Sequence, residues 1–253
     1  MRNSLEQARE ITMRHEEKYL CPESWLFVME HRLREFLQPD KHHLEGGYSI
    51  RSLYFDTEDD RLYTEGMNGL GRKDKYRIRI YNGGRDFIRL EKKTTVMQLK
   101  KKASTVVDSS FVEKILDRDS DGGIQGGNWL SDRRDPVLRE FGLMENTELL
   151  RPKIIVDYVR TAFVSEMGDI RITFDRNIRT TDRVGAFFED DVAFLPLLPE
   201  NVHLLEVKYS GIFPGYLARL LNIGSLERLS FSKYVLCRDM IMNNGRMREL
   251  YEF

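Results

Sequence analysis

The sequence repeats one short pattern, a glutamate and a lysine two positions apart, in three separate segments. Glu-x-Lys occurs at 16–18, 91–93 and 206–208, and a related pair, Arg77 and Arg79, lies before the second copy. Residues two positions apart point to the same face of a β-strand, so each copy would place a carboxylate beside an ammonium group. Such a pair can neutralise itself, or the carboxylate can hold a divalent metal ion while the lysine holds a phosphate.

The segment YRIRIYNGGRDFIRLEKKTT, residues 76–95, indicates how one sheet face could collect positive charge. Two stretches of alternating polar and apolar residues flank Asn82-Gly83-Gly84, which predicts a β-hairpin with a three-residue loop. That loop would place Arg77 directly opposite Arg89. One face of the hairpin would then be apolar, and the other would carry Arg77, Arg79, Arg89, Glu91 and Lys93.

The same alternation recurs in other strand-like segments, where it would extend this charged face. The cations expected on it are Lys18, Arg77, Arg79, Lys93, Arg160, Arg171 and Lys208, against Glu16, Glu91 and Glu206. A solvated outer face explains such a pattern without any function. A closed sheet with these charges inside would be too costly to desolvate unless an anion occupied it. Periodicity does not show whether the charged face lies inside or outside the sheet. A basic interior would predict a polyanionic ligand, whereas a basic exterior would predict none.

The elements that would position these residues are mainly strands, with helices at both ends of the chain. The pattern predicts strands at about 11–20, 48–57, 152–165, 169–175 and 202–209, and helices at about 22–37, 109–117, 135–142 and over two C-terminal segments. Asp135 and Pro136 are typical of a helix start, as N-cap and first helical residue. Since no repeat or linker stands out, we expect a single domain over residues 1–253.

Composition limits the classes of protein to consider. The 253 residues carry a formal net charge of −1, so any polyanion-binding surface must be local. There is no apolar run of transmembrane length and no apolar stretch of a secretory signal near the first residue. Cys21 and Cys237 are isolated, which is typical of buried, reduced thiols. These features predict a cytoplasmic protein.

Eight segments resemble, in order, the VTC-type polyphosphate polymerase domain of the triphosphate tunnel metalloenzymes, within the CYTH-like superfamily. They are RHEEKY, SLYFDT, YRIRIY, LEKKT, VRTAF, RITFD, LLEVKY and FSKY, and together they span about 12–240. The resemblance implies an α+β fold, an antiparallel closed β-barrel of about eight strands with peripheral helices. The interior of such a barrel is a tunnel lined by arginine, lysine and glutamate.

The same resemblance implies roles for individual residues. The expected substrate-binding residues are Lys18, Arg77, Arg79, Lys93, Lys102, Arg160, Arg171, Lys208, Ser232 and Lys233. Lys102 is the loosest match, because three lysines are consecutive there. Glu206 is the expected ligand of Mn²⁺ or Mg²⁺, with Glu16 and Glu91 as further candidates. The residues expected to carry catalysis are Lys18, Arg77, Arg79, Lys93, Glu206 and Lys233.

For function, the resemblance implies a metal-dependent polyphosphate polymerase that transfers the γ-phosphate of ATP to a growing polyphosphate chain. A triphosphatase that uses water, or a module that binds polyphosphate without turnover, could use the same residues. The first strand has Glu-x-Lys and lacks the fuller Glu-x-Glu-x-Lys of the hydrolytic branch, which favours the polymerase. The eukaryotic polymerases also have membrane helices and a regulatory domain that this sequence lacks, so a membrane-protein partner stays open.

Two other motifs have alternative interpretations. DRDSDGGIQGGN, residues 117–128, has the acidic spacing of a calcium loop, but Asn128 stands where a bidentate glutamate is needed. We therefore expect an acidic, glycine-rich loop there. KKTTVMQLKKKAS, residues 92–104, resembles a nucleic-acid-binding patch, but lysines at a tunnel mouth explain it equally well, and we expect no nucleic-acid partner.

Overall fold

Strands with alternating apolar and polar residues make up most of the fold, as the sequence predicts. The computed structural model describes residues 14–42, 44, 46–69, 71–96, 99–121 and 135–244. The strands are β1 (Arg14–Pro22), β2 (Gln38–Pro39), β3 (Tyr48–Asp56), β4 (Arg72–Tyr81), β5 (Ile88–Val96), β6 (Leu99–Val107), β7 (Arg151–Ser165), β8 (Ile170–Thr181), β9 (Leu195–Pro196) and β10 (Val202–Ser210). The helices are α1 (Glu23–Arg34), α2 (Arg61–Met67), α3 (Ser109–Asp121), α4 (Pro136–Thr147), α5 (Gly215–Leu220) and α6 (Lys233–Met242).

All these strands belong to one ten-stranded antiparallel sheet, in the order β1-β10-β8-β7-β3-β4-β5-β6. The two short strands lie off this path, since β2 pairs with β7 and β9 pairs with β8. The predicted α+β class, with an antiparallel sheet and peripheral helices, is confirmed. The predicted closure is wrong, because no backbone pairing joins the described residues of β1 to those of β6.

A loop occupies part of the free edge of β1. Leu229 donates its backbone N–H to the carbonyl of Lys18 at 3.0 Å, and Arg228 forms a β-bridge with Tyr19. At Lys18 and Tyr19, the edge of β1 is therefore already paired with this loop. Edge strands that are covered in this way are protected from pairing with other strands.

Side chains join the two ends of the sheet in place of backbone hydrogen bonds. Glu16 of β1 lies 3.4 Å from the ammonium group of Lys93 on β5 and 3.0 Å from that of Lys100 on β6. The sheet must therefore curl until its ends meet. We call the face that Glu16 shares with these lysines the inner face.

The hairpin of β4 and β5 has a register two residues away from the predicted one. Arg77 lies opposite Glu91, and Arg79 lies opposite Arg89, so the predicted pairing of Arg77 with Arg89 is wrong. A shift of two residues leaves every side chain on its original face. The predicted separation into an apolar face and a charged face is confirmed.

The loop of this hairpin explains the shift, because it is bound to β3 and not only to its own strands. Asn82 donates its backbone N–H to the carbonyl of Ser49 at 3.0 Å, and its side-chain oxygen accepts from the Ser49 N–H at 2.9 Å. Gly84 N–H closes a turn on the carbonyl of Tyr81 at 2.9 Å. The connection then runs on to residue 87, so it has six residues where the sequence predicts three.

Helices cover the outer face of the sheet with apolar side chains. Helix α4 packs on β5 and β6 and helix α3 packs on β7, and their residues Val112 and Phe141 join a cluster with Ile78 and Leu90. Helices α1 and α5 pack on β1, β8 and β10 through a second cluster, which includes Leu26, Leu33, Phe174, Leu205, Val207 and Leu217. Asp135 caps α4 by accepting from the Val137 N–H at 2.8 Å, which confirms the predicted helix start.

Helix α6 packs against one end of the inner face. Its residues Tyr234 and Cys237 are buried with Val156, Tyr158 and Leu204, which project inward from β7 and β10. Ser232 is the N-cap of this helix and accepts a hydrogen bond from the Val235 N–H at 3.3 Å. The N-terminus of α6 therefore lies beside the charged part of the inner face.

The described helices include none that is both long enough and apolar enough to span a membrane. The predicted calcium-like motif lies mostly outside the described residues, because helix α3 continues to Asp121 and the next described residue is Asp135.

Candidate active site on the inner face

Sheet register places the predicted strand cations on one surface. Lys18 pairs with Glu206 across β1 and β10, and Glu16 pairs with Lys208. Lys93 lies opposite Lys102 across β5 and β6. All the predicted strand residues share the inner face, namely Glu16, Lys18, Arg77, Arg79, Glu91, Lys93, Lys102, Arg160, Arg171, Glu206 and Lys208.

Glu91 is the centre of the first ionic cluster on this face. Its carboxylate accepts from Arg77 Nε at 2.7 Å, lies 3.8 Å from Arg79 and also contacts Lys102. Only 1% of Glu91 is exposed. Burial raises the pKa of this carboxyl, but the three cations outweigh burial and hold the pKa below its usual value. Glu91 therefore stays ionised and holds both arginines in place.

Hydrogen bonds to tyrosine and serine hydroxyl groups also hold the two arginines in place. Arg77 donates to Tyr54 Oη at 3.0 Å. Arg79 donates to Ser52 Oγ at 3.2 Å and to Tyr158 Oη at 3.3 Å. Guanidinium groups that are already oriented lose little conformational freedom when they bind a phosphate.

Asp175 is the centre of a second cluster, and its role was not apparent from the sequence. Arg160 donates to its two oxygens at 2.6 and 2.7 Å, and the Lys233 ammonium lies 2.6 Å away. Asp175 has no exposed surface. Burial raises its pKa, but Arg160 and Lys233 outweigh burial and lower the pKa to about 2. The alternation Arg171-x-Thr173-x-Asp175 in β8 is the signal that could have revealed it.

Glu16 and Glu206 form the third cluster, at the junction of β1 and β10. Glu206 lies 2.6 Å from Lys208 and 3.9 Å from Arg160, whereas Glu16 contacts Lys18 at 3.3 Å as well as Lys93 and Lys100. Burial and the charge of Glu206 raise the pKa of Glu16. Lys93, Lys18 and Lys208 outweigh both, and the pKa falls to about 2. Each carboxylate of the three clusters thus contacts at least two cations.

The sequence and fold of the chain match known proteins over most of its length. The VTC domain family matches residues 13–242. The chain belongs to the VTC domain family. Among solved structures, it is similar to HpAC1 of Hippeastrum, a putative adenylyl cyclase described as having a dominant triphosphatase activity, with 14% identity and a TM-score of 0.51. That similarity covers 94% of this chain and all of the other, and it shows a shared fold.

Two further solved structures are more distant. PH1819 of Pyrococcus horikoshii OT3 is 12% identical over 92% of this chain and 99% of its own, with a TM-score of 0.44. A putative adenylate cyclase of Bacillus halodurans is 12% identical over 87% of this chain and 95% of its own, also with a TM-score of 0.44. None of the curated proteins matches the chain.

Two of the predicted metal ligands of this VTC domain lie together. Glu16 and Glu206 are diagonal neighbours across β1 and β10, and the charge of Glu206 raises the pKa of Glu16. Glu91 contacts a different set of cations. Within the described part of the chain, no three His, Cys, Asp or Glu side chains form a metal-ligand cluster. Two carboxylates nevertheless fit Mg²⁺ or Mn²⁺, because such ions are often held by one or two carboxylates together with substrate phosphates.

Lys75 is an inner-face residue of the VTC domain that the sequence reasoning missed. It lies opposite Lys93 in β5 and precedes Arg77 by two positions, so the same alternation could have found it. Its ammonium group donates to Ser232 Oγ at 2.7 Å. Burial, followed by the charges of Lys18 and Lys93, lowers the pKa of Lys75 to about 7. Its surroundings therefore favour an anion.

Arg171 differs from the other predicted substrate-binding residues of the VTC domain, because its guanidinium lies at the edge of the inner face. It donates to Asp40 Oδ2 at 2.6 Å and to Tyr48 Oη at 3.3 Å. About 30% of its side chain is exposed. Ser232 and Lys233, in contrast, lie at the N-terminus of α6 and contact residues of the inner face. Ser232 accepts a hydrogen bond from Lys75, and Lys233 forms an ion pair with Asp175.

Proposed function

We propose that this VTC domain is a metal-dependent polyphosphate polymerase, which transfers the γ-phosphate of ATP to the end of a polyphosphate chain. The observation that carries the proposal is the inner face, on which every clustered carboxylate is shared by at least two cations. A chain of phosphates would supply the missing negative charge. The VTC family relationship supports the same substrate class.

The paired cations have the chemistry that phosphoryl transfer requires. Such reactions depend mainly on positioning and charge stabilisation, with little covalent work from the protein. Arg77 and Arg79 can exchange part of their contact with Glu91 for bidentate contacts with phosphate oxygens. Lys18, Lys93 and Lys233 would add point charges along the chain. Mg²⁺ or Mn²⁺ on Glu16 and Glu206 would offset charge on the phosphate oxygens.

The state of the carboxylates favours the polymerase over the hydrolase. In the polymerase, a terminal phosphate oxygen of the acceptor attacks the γ-phosphorus, and the bond to the β,γ-bridging oxygen breaks to release ADP. This nucleophile is already an anion, so no general base is needed. Cations hold the pKa values of Glu16, Glu91, Asp175 and Glu206 below their usual values, which makes these groups poor proton acceptors.

A triphosphatase is the second candidate function, and Lys75 is the observation that favours it. The pKa of Lys75 is lowered to about 7 in the free protein; at a pH above its higher value in the substrate complex, the neutral amine could accept a proton from an attacking water. The protein from Hippeastrum that shares this fold is described as a triphosphatase. A hydrolase of this kind would act on ATP or inorganic triphosphate with the same cations.

One experiment separates these functions. Purified protein is incubated with ATP and Mn²⁺ or Mg²⁺, the products are resolved on a gel stained for polyphosphate, and ADP and free phosphate are measured. We expect a ladder of phosphate chains with a matching amount of ADP. Free phosphate without a ladder would identify the triphosphatase. Metal-dependent binding of triphosphate without turnover would indicate a binding module.

Replacing Glu206 with glutamine is expected to remove the metal stimulation of turnover. The amide keeps the shape but loses the charge that would hold the ion, and a metal contributes several kcal/mol to such reactions, so turnover should fall by about 100-fold or more. Turnover is measured across a Mn²⁺ titration. Glu113→Gln is the control, because Glu113 pairs with Arg85 away from the inner face. Persistent metal stimulation in Glu206→Gln would move the metal to Glu16 or Glu91.

Binding of triphosphate is expected to weaken as the pH rises above about 7, because Lys75 loses its proton there. A bound polyanion stabilises the ammonium form and raises the pKa of Lys75. At pH values between the pKa of the free protein and that of the complex, binding is therefore accompanied by uptake of a proton by Lys75. Affinity is measured by calorimetry from pH 6 to 9, a span of about one unit or more on each side of that value. Lys93, whose pKa burial lowers to about 8, adds a second step.

Two substitutions isolate the contribution of Lys75. Arginine stays charged throughout this range, so Lys75→Arg should flatten the first step. Lys75→Met should bind more weakly than wild type below pH 7 and approach it at higher pH. Each variant is compared with the wild type at the same pH, which removes the contribution from protonation of the ligand itself. An unchanged pH profile in both variants would contradict a contact between Lys75 and phosphate.

A further inference from the structure

The gap between the two ends of the sheet contains a cavity that extends beyond the predicted site. Its volume is about 370 Å³, and its lining residues are Glu16, Lys18, Lys100 and residues 228–231. Small-molecule sites commonly have volumes of about 300–1,000 Å³. We call it the seam cavity, since it lies where the described residues of β1 and β6 approach each other without backbone pairing.

The lining of the seam cavity is predominantly positive. Lys18, Lys100 and Arg228 contribute cations, and among the described residues that line the cavity Glu16 is the only carboxylate. Glu16 already contacts both lysines, at 3.3 and 3.0 Å. Arg228 pairs with Glu17 at 3.3 Å and is 66% exposed, so its guanidinium is within reach of solvent. The cavity is therefore suited to an anion that enters from outside.

The wall of the seam cavity is fixed before any ligand binds. Leu229 donates to the Lys18 carbonyl at 3.0 Å, and the Lys18 ammonium donates to the carbonyl of Phe231 at 2.5 Å. These bonds tie residues 228–231 to β1 at two points. Little ordering cost would therefore oppose ligand binding along this wall.

The seam cavity is continuous with the inner face. Glu16 and Lys18 line both, and Lys100 projects from the same face of β6 as Lys102. A polymerase must hold two polyanions at once, the donor triphosphate and the acceptor chain, whereas a hydrolase needs a site for one. We assign the donor triphosphate to Arg77 and Arg79, because Glu91 already orients both guanidinium groups on the inner face.

We propose that the seam cavity is a second phosphate-binding site, which holds the polyphosphate acceptor as it passes between β1 and β6. This inference rests on the proposed function, because an acceptor is needed only when a chain is elongated. Arg228 binds phosphate oxygens through its planar guanidinium, and Lys100 contributes a point charge. Inorganic triphosphate, which is short, occupies the donor site and does not reach these two residues.

The test compares the affinities of inorganic triphosphate and long-chain inorganic polyphosphate, measured without ATP and in the presence of a chelator. Lys100→Ala and Arg228→Ala are the seam variants. Lys101→Ala is the control for the lysine, because Lys101 is exposed on the opposite face of β6. Arg72→Ala is the control for the arginine, because Arg72 is 67% exposed and also has one ion pair at 3.3 Å, with Asp74.

Each seam variant is expected to weaken long-chain binding by about tenfold, the effect of losing one hydrogen bond to a charged group, and to leave triphosphate binding unchanged. The control variants should change neither affinity. Equal weakening of both ligands would make the cavity part of the donor site, and unchanged long-chain binding would exclude the cavity altogether. Either result overturns the inference. Failure of the proposed function would appear separately, as wild-type protein that forms no phosphate chains from ATP.

Discussion

The Arg77→Ala variant is expected to lose about 10²–10³-fold in turnover, as is found when one oriented donor to transition-state charge is removed. Arg77 is held by Glu91 at 2.7 Å and by Tyr54 at 3.0 Å, so its guanidinium is in position before the substrate arrives. Alanine removes the donors and leaves Glu91 with Arg79 and Lys102. Steady-state turnover of ATP with Mn²⁺ measures the loss.

A double variant separates the effect on phosphate from the effect on Glu91. Only 1% of Glu91 is exposed, so the loss of Arg77 leaves a buried carboxylate with fewer partners and lowers stability. Arg77→Ala combined with Glu91→Gln removes that carboxylate as well, but it leaves Arg79 and Lys102 without their shared partner, so the melting temperature should not recover. We expect turnover to stay low. Recovery of turnover would show that Arg77 acts by neutralising Glu91.

The Asp175→Asn variant is expected to lose about 3–5 kcal/mol in the free energy of unfolding, the effect of removing one partner of a buried ion pair. Asp175 has no exposed surface, and it contacts Arg160 and Lys233 at 2.6–2.7 Å. The amide leaves two cations with reduced compensation on an already positive face. Urea unfolding, followed by intrinsic fluorescence, measures the change.

Added triphosphate is expected to restore more stability to Asp175→Asn than it adds to the wild type, because an anion can replace the missing carboxylate. Asp157→Asn is the matched control. Asp157 is also buried between two arginines, Arg51 at 3.0 Å and Arg179 at 2.9 Å, but on the outer face. Equal rescue of the two variants would contradict the assignment of Arg160 and Lys233 to the phosphate site.

The charged face could be predicted from sequence because side chains alternate strictly along a strand. Arg77, Arg79 and Lys93 lie on one face in both registers, because the observed register differs from the predicted one by two residues, which keeps every side chain on its side of the sheet. The register itself depends on Asn82, which is bound to Ser49 of β3. That contact joins residues 33 positions apart, and no local turn rule contains it.

The remaining features depend on contacts between distant parts of the chain. At the open seam, Leu229 takes an edge position on β1 that a closed barrel would give to β6. The role of Asp175 depends on Lys233, which arrives from α6. Lys75 is a different case, because the alternation with Arg77 already placed it on the charged face. The position of Lys75 on the charged face was therefore predictable from sequence alone.

The pairing of β1 has a consequence for the order of folding. Within the described residues, the sheet neighbour of Arg14–Pro22 is Val202–Ser210, and its other edge is paired at Lys18 and Tyr19 with residues 228 and 229. A ribosome must therefore synthesise most of the chain before its first strand has a partner. Contacts of such long sequence separation slow folding. During that interval the charged side chains of β1 would keep an unpaired strand in solution, so the same residues that we propose for phosphate binding would protect the nascent chain from aggregation.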